Sequence, residues 1–414
     1  MSLAAPFFVL VVVIALAAVL LSSAAAAAAG TEGQGEGVIA ADDAGALHIN
    51  SSDPLTQPVL LNGFDVLHGI KQHASVIEEQ NMLVADQAAR ITALEDDLCS
   101  LHPPHIGRIP GAGTSTEKWA GGVLAPNGLI YGVPYRATAV LIINPTTNTL
   151  DTTTITGLPD GVNKWNGGVL APNNNIIYCL PHHHDNVLKI DPSTNTADWT
   201  TVTDTGPGGY KFRSGALGNN GLIYGIPYSA TFVLIIDPST DTTDITTLNG
   251  LGTQSSKWFG SATVPDGRIF GIPRNADAVL IIDPDTNTLD TTSIVGLGSG
   301  GGKWTDGILA SNGLIYGIPR HTDSVLIIDP GAMTANATTI TGLGEGGKWI
   351  GGALAANGKV VGIPFGSESV LVIDPETNTA DITTLADAGT GSFKFFGGVS
   401  APDSLIYAIP YFAD

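Results

Sequence analysis

Cysteine, charged residues and basic residues in particular are scarce in this chain of 414 residues. Two cysteines, Cys99 and Cys179, are too few for a disulfide framework, and they lie in different segments. Only 13% of residues are charged, and 17 basic residues stand against 38 acidic ones, giving a formal net charge of -21. An acidic surface repels phosphate backbones, so we expect no nucleic acid among the partners.

Signatures of enzymes are missing as well. The chain has no Gly-x-Ser-x-Gly, no His-Glu-x-x-His and no glycine-rich loop that opens a helix. In the run from His182 to Asp185, alternate residues of an extended segment share a face, so His182 and His184 could share a metal, but no third ligand accompanies them. We therefore lean against an enzyme and predict neither a cofactor nor a metal site.

The N-terminus carries the one long apolar run, residues 6–21, followed by small residues up to Gly30. This pattern predicts a signal peptide over residues 1–30, although no basic residue precedes the run; an uncleaved anchor is the alternative. Either interpretation places the rest of the chain outside the cytosol, secreted or at the cell surface, and cleavage would leave no membrane span. Residues 31–66 are interpreted as a linker.

Residues 67–101 show a heptad pattern typical of an amphipathic, coiled-coil-like helix. Apolar residues recur every seven positions, and a second row contains Gln80 and Gln87 in its first half. The pattern predicts a homo-oligomer through residues 70–101; the alternative is a single helix packed on the next domain. Cys99, at the end of this helix, is predicted either to bridge chains or to stay a free thiol. The apolar row is Ile70, Ile77, Val84, Ile91 and Leu98.

A lysine followed by an aromatic residue recurs at intervals of 45 to 47 residues through the rest of the chain. So regular a period indicates tandem structural repeats. The repeats start at Lys118, Lys164, Lys211, Lys257, Lys303, Lys348 and Lys394.

Each repeat reads as four short strands with tight turns and no helix. Asn-Gly or Asp-Gly joins the first two strands in most copies, and Asp-Pro-x-Thr-Asn-Thr joins the last two. Sheets of this size bury both faces only by packing around an axis, so residues 118–414 predict an all-β, seven-bladed β-propeller of four-stranded antiparallel blades. The seventh repeat stops after its second strand, at Asp414. Within the connector 102–117, residues 105–112 could supply a closing strand.

The repeat motif, VLIIDPxTNT followed by a Thr-rich strand and an APNG hairpin, resembles the YVTN-type repeats and, more broadly, the NHL and SMP-30-like propeller superfamily. The resemblance covers residues 118–414 and implies the fold. It implies no single activity, since that superfamily contains lactonases, lyases, surface-layer proteins and interaction modules.

Propeller geometry assigns the repeat positions to one face, which we call the loop face. It carries the loops between second and third strands and the links between blades. The lysines would surround the channel mouth there, either as an anion-binding funnel or with their stems on the adjacent aromatics and their charges on neighbouring Asp residues. The loops that depart from the repeat suit recognition on the same rim. Their candidate ligand-binding residues are Tyr135, Arg136, His182, His184, Tyr228, Arg274, Arg320, His321 and Phe365.

These observations predict a secreted or cell-surface propeller that binds an anionic glycan or an extracellular protein on its loop face. One alternative is a metal-dependent lactonase-like or lyase-like enzyme, to which alone a Ca²⁺ or Zn²⁺ ion would belong. The other alternative is a structural coat or matrix protein.

Overall fold

The computed structural model describes residues 38–41, 47–50, 60–61, 64–101 and 104–413, with side chains at 72–87, 89–90 and 104–413. The chain divides into two compact units, residues 1–103 and 104–414. The predicted signal peptide lies outside the described residues, as does most of the predicted linker. In the part of the chain that is described, no helix is long and apolar enough to cross a membrane.

The first unit contains two short hairpins and a helix. Strand β1 (Val38–Ala41) pairs antiparallel with β2 (Leu47–Asn50), and β3 (Leu60–Leu61) pairs with β4 (Phe64–Asp65). Helix α1 (Val66–Leu101) follows β4 directly.

The predicted coiled coil is wrong. The described residues contain the single helix α1, and the seam residues Ile77 and Val84 are 49% and 64% exposed. A heptad row is also what one amphipathic helix produces, and the glutamines in the second row leave its apolar stripe incomplete. Association of copies through residues 70–101 stays a prediction.

The second unit begins with six antiparallel sheets of four strands, each in simple sequential order. These blades are β5 to β8 (Trp119–Leu124, Ile130–Pro134, Leu141–Asn144, Thr149–Asp151), β9 to β12 (Trp165–Ala171, Ile176–Pro181, Leu188–Asp191, Thr196–Asp198), β13 to β16 (Phe212–Leu217, Ile223–Pro227, Leu234–Asp237, Thr242–Asp244), β17 to β20 (Trp258–Thr263, Ile269–Pro273, Leu280–Asp283, Thr288–Asp290), β21 to β24 (Trp304–Leu309, Ile315–Pro319, Leu326–Asp329, Thr334–Asn336) and β25 to β28 (Trp349–Leu354, Val360–Pro364, Leu371–Asp374, Thr379–Asp381).

Local chemistry shapes each blade as the repeat predicts. In the first turn, Gly128 takes a φ of +79°, and the Asn127 side chain accepts a hydrogen bond from the Leu129 amide at 3.1 Å. In the second turn of the next blade, Asp191 Oδ1 accepts from the Ser193 amide at 2.8 Å. The second strand of every four-stranded blade is almost entirely buried between its neighbours. The predicted all-β propeller of four-stranded blades is therefore confirmed.

The number of blades differs from the prediction: there are six four-stranded blades, not seven. The seventh repeat supplies only a two-stranded sheet, β29 (Phe395–Ser400) with β30 (Ile406–Pro410). Residues 105–112, expected to add a closing strand, form none. This small sheet still closes the ring, because its Tyr407 hydroxyl donates to Asn148 Oδ1 of the first blade at 3.1 Å and its Val399 shares a core cluster with Ile130.

The first strands of the sheets surround the axis, and small residues let them approach each other there. Three residues after each lysine the chain places Gly, Ser or Asp, a set we call the glycine-rich ring. A Cβ added at Gly351 would lie 2.5 Å from the Cα of Gly397 on the next sheet. Backbones in such close contact narrow the channel below the loop face. The ring comprises Gly121, Gly167, Ser214, Gly260, Asp306, Gly351 and Gly397.

Candidate functional site

The seven lysines form a buried ring on the loop face, with side chains only 1–9% exposed. Each ammonium group donates to backbone carbonyls: Lys257 Nζ, for example, reaches Ala230 O at 2.7 Å and Gln254 O at 3.1 Å. Ala230 belongs to the loop of the preceding blade, so the lysine ties two blades together. The ammonium groups are thus already engaged in hydrogen bonds within the protein.

The lysine surroundings combine two of the expected features. Lys257 and Lys164 lie over their adjacent tryptophan rings at 5.9 Å and 5.8 Å, as the structural interpretation expects. Their charges meet carbonyls, however, while the repeated aspartates at the strand ends cap turns. Burial lowers the pKa of Lys164 and of Lys257 to about 8. The position therefore serves packing between blades.

A second ring is built from the residues that directly follow the proline at the end of each second strand; we call it the post-proline ring. Neighbours around it touch: the rings of Tyr135 and His182 lie 5.8 Å apart, His182 and Tyr228 5.8 Å, and Tyr411 and Tyr135 5.8 Å. The Arg274 guanidinium lies 5.4 Å from the Tyr228 ring. Six of its members were expected to bind ligand. The ring comprises Tyr135, His182, Tyr228, Arg274, Arg320, Phe365 and Tyr411.

A third set lies one layer deeper, two residues after each lysine on the first strands; we call it the inner ring. Phe259, Ile350 and Phe396 from this set join members of the post-proline ring in one buried cluster drawn from different sheets. Sequence reasoning missed the inner ring. The available signal was its variability inside an otherwise uniform strand. The inner ring comprises Ala120, Asn166, Arg213, Phe259, Thr305, Ile350 and Phe396.

Three arginines of these two rings stack on aromatic faces. The Arg213 guanidinium lies 5.0 Å from the ring of Tyr228, 5.2 Å from that of Phe259 and 5.6 Å from that of Phe396. Arg320 lies 5.5 Å from Phe365. Since Tyr228 and Phe396 belong to opposite parts of the ring of sheets, Arg213 reaches into the channel.

The three arginine residues are partly buried, and few acceptors surround their guanidinium groups. The Nε atoms of Arg213, Arg274 and Arg320 are buried and have no hydrogen-bond partner. Among described residues, no carboxylate forms an ion pair with any of the three, and the one hydrogen bond recorded for their side chains is 3.5 Å, from Arg274 to Asn275. An Nε–H group that is buried without an acceptor is costly, so an anion beside these guanidinium groups would be favoured.

The arginines border a cavity of about 140 Å³ on the axis. Its single carboxylate, Glu117, is already ion-paired with Arg136. The remaining lining is aromatic or aliphatic, so the cavity combines an apolar wall with excess positive charge. The lining residues are Glu117, Arg213, Tyr228, Phe259, Arg274, Arg320, Ile350, Phe365, Phe393, Phe396 and Tyr411.

The electrostatics at the cavity show the same excess of positive charge. Burial, with the charges of Arg274 and Arg213 nearby, lowers the pKa of Arg320 to about 10, so it stays protonated at neutral pH. Burial alone would raise the pKa of the Tyr228 hydroxyl, but Arg213 and Arg274 outweigh burial and lower it. The two arginines stabilise the negatively charged form of Tyr228, as they would stabilise any anion at this place.

The histidine run divides among three environments. His182 is fully buried, and its Nδ1 donates to Phe212 O at 2.8 Å, which leaves Nε2 buried without a partner. His183 packs edge-on against Tyr210 at 4.1 Å, and His184 lies 4.6 Å from the ring of Trp165. Within the described residues, no three His, Cys, Asp or Glu side chains are grouped to hold a metal ion.

The structure thus brings some expected residues together and separates others. Tyr228, Arg274, Arg320 and Phe365 line the cavity. Tyr135 and His182 stand beside it in the post-proline ring. The others lie outside the lining: Arg136 pairs with Glu117, His184 packs on Trp165, and His321 lies next to Gly302. Cys179 is a buried free thiol in the second strand of its blade.

Solved structures similar to this chain are β-propeller proteins. A streptogramin B lyase aligns with a TM-score of 0.56 at 10% identity, over 74% of this chain and 94% of that one. An extracellular domain assigned to a hybrid two-component system of B. thetaiotaomicron gives 0.54 at 10% identity, over 74% of this chain and 41% of that one. Kuenenia stuttgartiensis hydrazine synthase gives 0.50 at 14% identity, over 74% and 97%.

Identities this low show the fold alone. No family model and no curated protein matches the chain. The class defined by fold and site is therefore a β-propeller of six four-stranded blades with a two-stranded closing sheet and an arginine-lined axial cavity. The narrower resemblance to YVTN and NHL repeats stays a prediction.

Proposed function

We propose that this protein is an extracellular binding module whose axial cavity holds an anionic group of its ligand. The observation that carries the proposal is that the Nε atoms of Arg213, Arg274 and Arg320 are buried and have no acceptor. Folding takes these Nε atoms out of water, and a bound anion would supply the acceptor that they lack. An extracellular place is supported by the similar extracellular domain of the two-component system.

Stacking prepares the arginines for this role. A guanidinium that lies against an aromatic face keeps its N–H groups in the plane of the fork, where a carboxylate or sulfate can accept two of them. Arg274 on Tyr228 and Arg320 on Phe365 have this arrangement on adjoining sheets. The rings hold the side chains in place before ligand arrives, which lowers the entropy lost on binding.

The proposed anion site does not use the lysine ring, because carbonyls already accept its ammonium protons. A glycan or an extracellular protein as the source of the anion stays a prediction. So do the two alternatives, a metal-dependent lactonase-like or lyase-like enzyme and a structural coat protein.

The test is isothermal titration calorimetry of the full chain with acetate, sulfate, glucuronate and benzoate at constant ionic strength. Each anion is compared with a neutral counterpart where one exists. We expect anions to bind at least tenfold more tightly than acetamide, glucose or benzamide. The double variant Arg274→Gln, Arg320→Gln should lose this preference. Its melting temperature should be unchanged or higher, because removing buried cations without partners relieves their desolvation.

Arg268→Gln is the matched control. Arg268 also stacks on a ring, that of Phe270, at 5.4 Å. It is ion-paired with Asp266 in the turn between β17 and β18, however, and borders no part of the cavity. The control should bind anions as the unmodified chain does. Anion binding that survives in the double variant, or no anion binding in the unmodified chain, would overturn the proposal.

A further inference from the structure

We propose that the preferred ligand group is a single aromatic ring bearing a carboxylate, an inference that rests on the anion-binding function proposed above. The inference specifies the part of the ligand that lies beyond its anionic group. Three features of the cavity carry it: its size, the chemistry of its wall and the arginines that stand beside the aromatic rings.

The size of the cavity fits one ring. Its volume is about 140 Å³. A cavity of roughly 150 Å³ with an apolar lining accommodates benzene, whereas drug-sized ligands occupy about 300 Å³ or more. The glycine-rich ring narrows the channel on the inner side, since Gly351 and Gly397 meet backbone to backbone. A ligand group of six-membered-ring size therefore fills the space that the loop face leaves open.

Six of the eleven lining residues are aromatic. Phe259 and Phe396 stack at 5.8 Å between ring centroids, and Phe365 meets Phe396 edge-on at 6.4 Å. Phe393 meets Phe365 edge-on at 4.9 Å. Ile350, 2% exposed, completes the apolar side. Such a wall offers edge and face contacts to a further ring but few hydrogen bonds to the hydroxyls of a sugar.

The arginines and the apolar wall come from several different sheets. Phe396 and Phe393 come from the closing sheet and the link before it, and Ile350 comes from the sixth blade. Arg274 and Arg320 follow the second strands of the fourth and fifth blades. Phe259 of the fourth blade also belongs to the wall, and Arg320 lies 5.5 Å from the ring of Phe365. The cavity therefore offers aromatic faces and cationic groups side by side, which suits a rigid ligand with a ring at one end and an anion at the other.

An aromatic ring gains more here than an aliphatic one of equal size. The Arg213 guanidinium lies 5.0–5.6 Å from the rings of Tyr228, Phe259 and Phe396, so it already makes cation–π contacts. A ligand ring in the cavity would add another face to this cation and another edge to the phenylalanines. A saturated ring would keep the burial but lose both contributions.

The experiment measures dissociation constants of the full chain for benzoate, cyclohexanecarboxylate, benzamide and acetate by calorimetry. We expect benzoate to bind at least tenfold more tightly than acetate and benzamide, and about threefold more tightly than cyclohexanecarboxylate. Phe396→Leu should weaken benzoate binding about tenfold and acetate binding by a smaller factor, so that the preference for benzoate over acetate falls. Tyr210→Leu is the matched control, because Tyr210 is an aromatic residue of the same face, 47% exposed and outside the lining.

The outcomes separate this inference from the function beneath it. Acetate or glucuronate binding as tightly as benzoate, with the same dependence on Arg274 and Arg320, would overturn the aromatic ligand and leave the anion site standing. Benzoate binding unaffected by Phe396→Leu in a folded variant, judged by its melting curve, would overturn it as well. If no anion binds the unmodified chain, both proposals fail.

Discussion

The lysine ring and the post-proline ring occupy the same face of the propeller, yet they treat charge in opposite ways. Every lysine ammonium group donates hydrogen bonds to backbone carbonyls, as Lys303 Nζ does to Ala276 O at 2.9 Å. In the post-proline ring, Arg274 and Arg320 have buried Nε atoms without partners. The first ring is the same residue seven times, while the second changes from blade to blade.

The difference teaches where a repeat protein places packing and where it places recognition. Each blade needs the same tie to its neighbour, so the lysine and the glycine-rich ring recur. A ligand on the axis meets all sheets at once and lacks their symmetry, so residues that contact it must differ between copies. Variation inside a uniform repeat therefore indicates a site more reliably than repetition does.

The largest effect should come from the glycine-rich ring. Gly351 has a φ of +76°, and a Cβ there would lie 2.5 Å from Gly397 Cα. We expect Gly351→Ala to lower the free energy of unfolding by about 4 kcal/mol, combining left-handed strain with backbone overlap. Gly358→Ala controls for φ, since Gly358 has a φ of +79° and its nearest neighbour would be 4.0 Å away. Urea unfolding measures both; equal losses would show that close approach at the axis is unimportant.

A smaller loss is expected from the lysine ring. Lys257→Met keeps the stem on Trp258 but removes the donor to Gln254 O and to Ala230 O, which leaves the buried Ala230 carbonyl without this partner. We expect a loss of about 3 kcal/mol in the free energy of unfolding, with anion affinity unchanged. Urea unfolding and calorimetry on the same sample give the two values. A folded variant with tenfold weaker anion binding would show instead that the lysines belong to the site.

The fold was predictable because the same turn-forming residues recur from repeat to repeat. Gly128 and Asp191 behave in the structure as their turn positions require. The coiled coil failed because heptad spacing does not distinguish a paired helix from a single one. The blade count failed because the seventh repeat supplies only β29 and β30.

The site was predictable in part. Tyr228, Arg274, Arg320 and Phe365 depart from the repeat in a loop whose place is fixed by the fold, and they line the cavity. Arg213 and Phe396 lie inside a strand, where the one sequence signal was the variation of their position among otherwise uniform first strands. The partners of the lysines could not be predicted either, because backbone carbonyls leave no trace in the pattern of residue types.

The smallest expected effect concerns His182, a member of the varied ring that carries no net charge. Burial, together with the nearby Arg213, lowers its pKa to about 2, so it is neutral in the folded state. In the unfolded chain a histidine takes up a proton near pH 6.5, so the stability linked to His182 is complete above that pH and falls as the pH drops below it. His182→Tyr places the residue found at positions 135, 228 and 411 of the same ring and removes this titration.

Between pH 7 and pH 5.5 the unmodified chain should therefore lose about 1 kcal/mol more of its free energy of unfolding than His182→Tyr does. Urea unfolding at the two pH values measures the difference, and His105→Gln, a change at an exposed histidine, should follow the unmodified chain. An equal loss in His182→Tyr would mean that His182 is protonated in the folded state. The buried Nε2 would then carry a proton beside Arg213, and the positive charge around the cavity would be larger than the arginines alone provide.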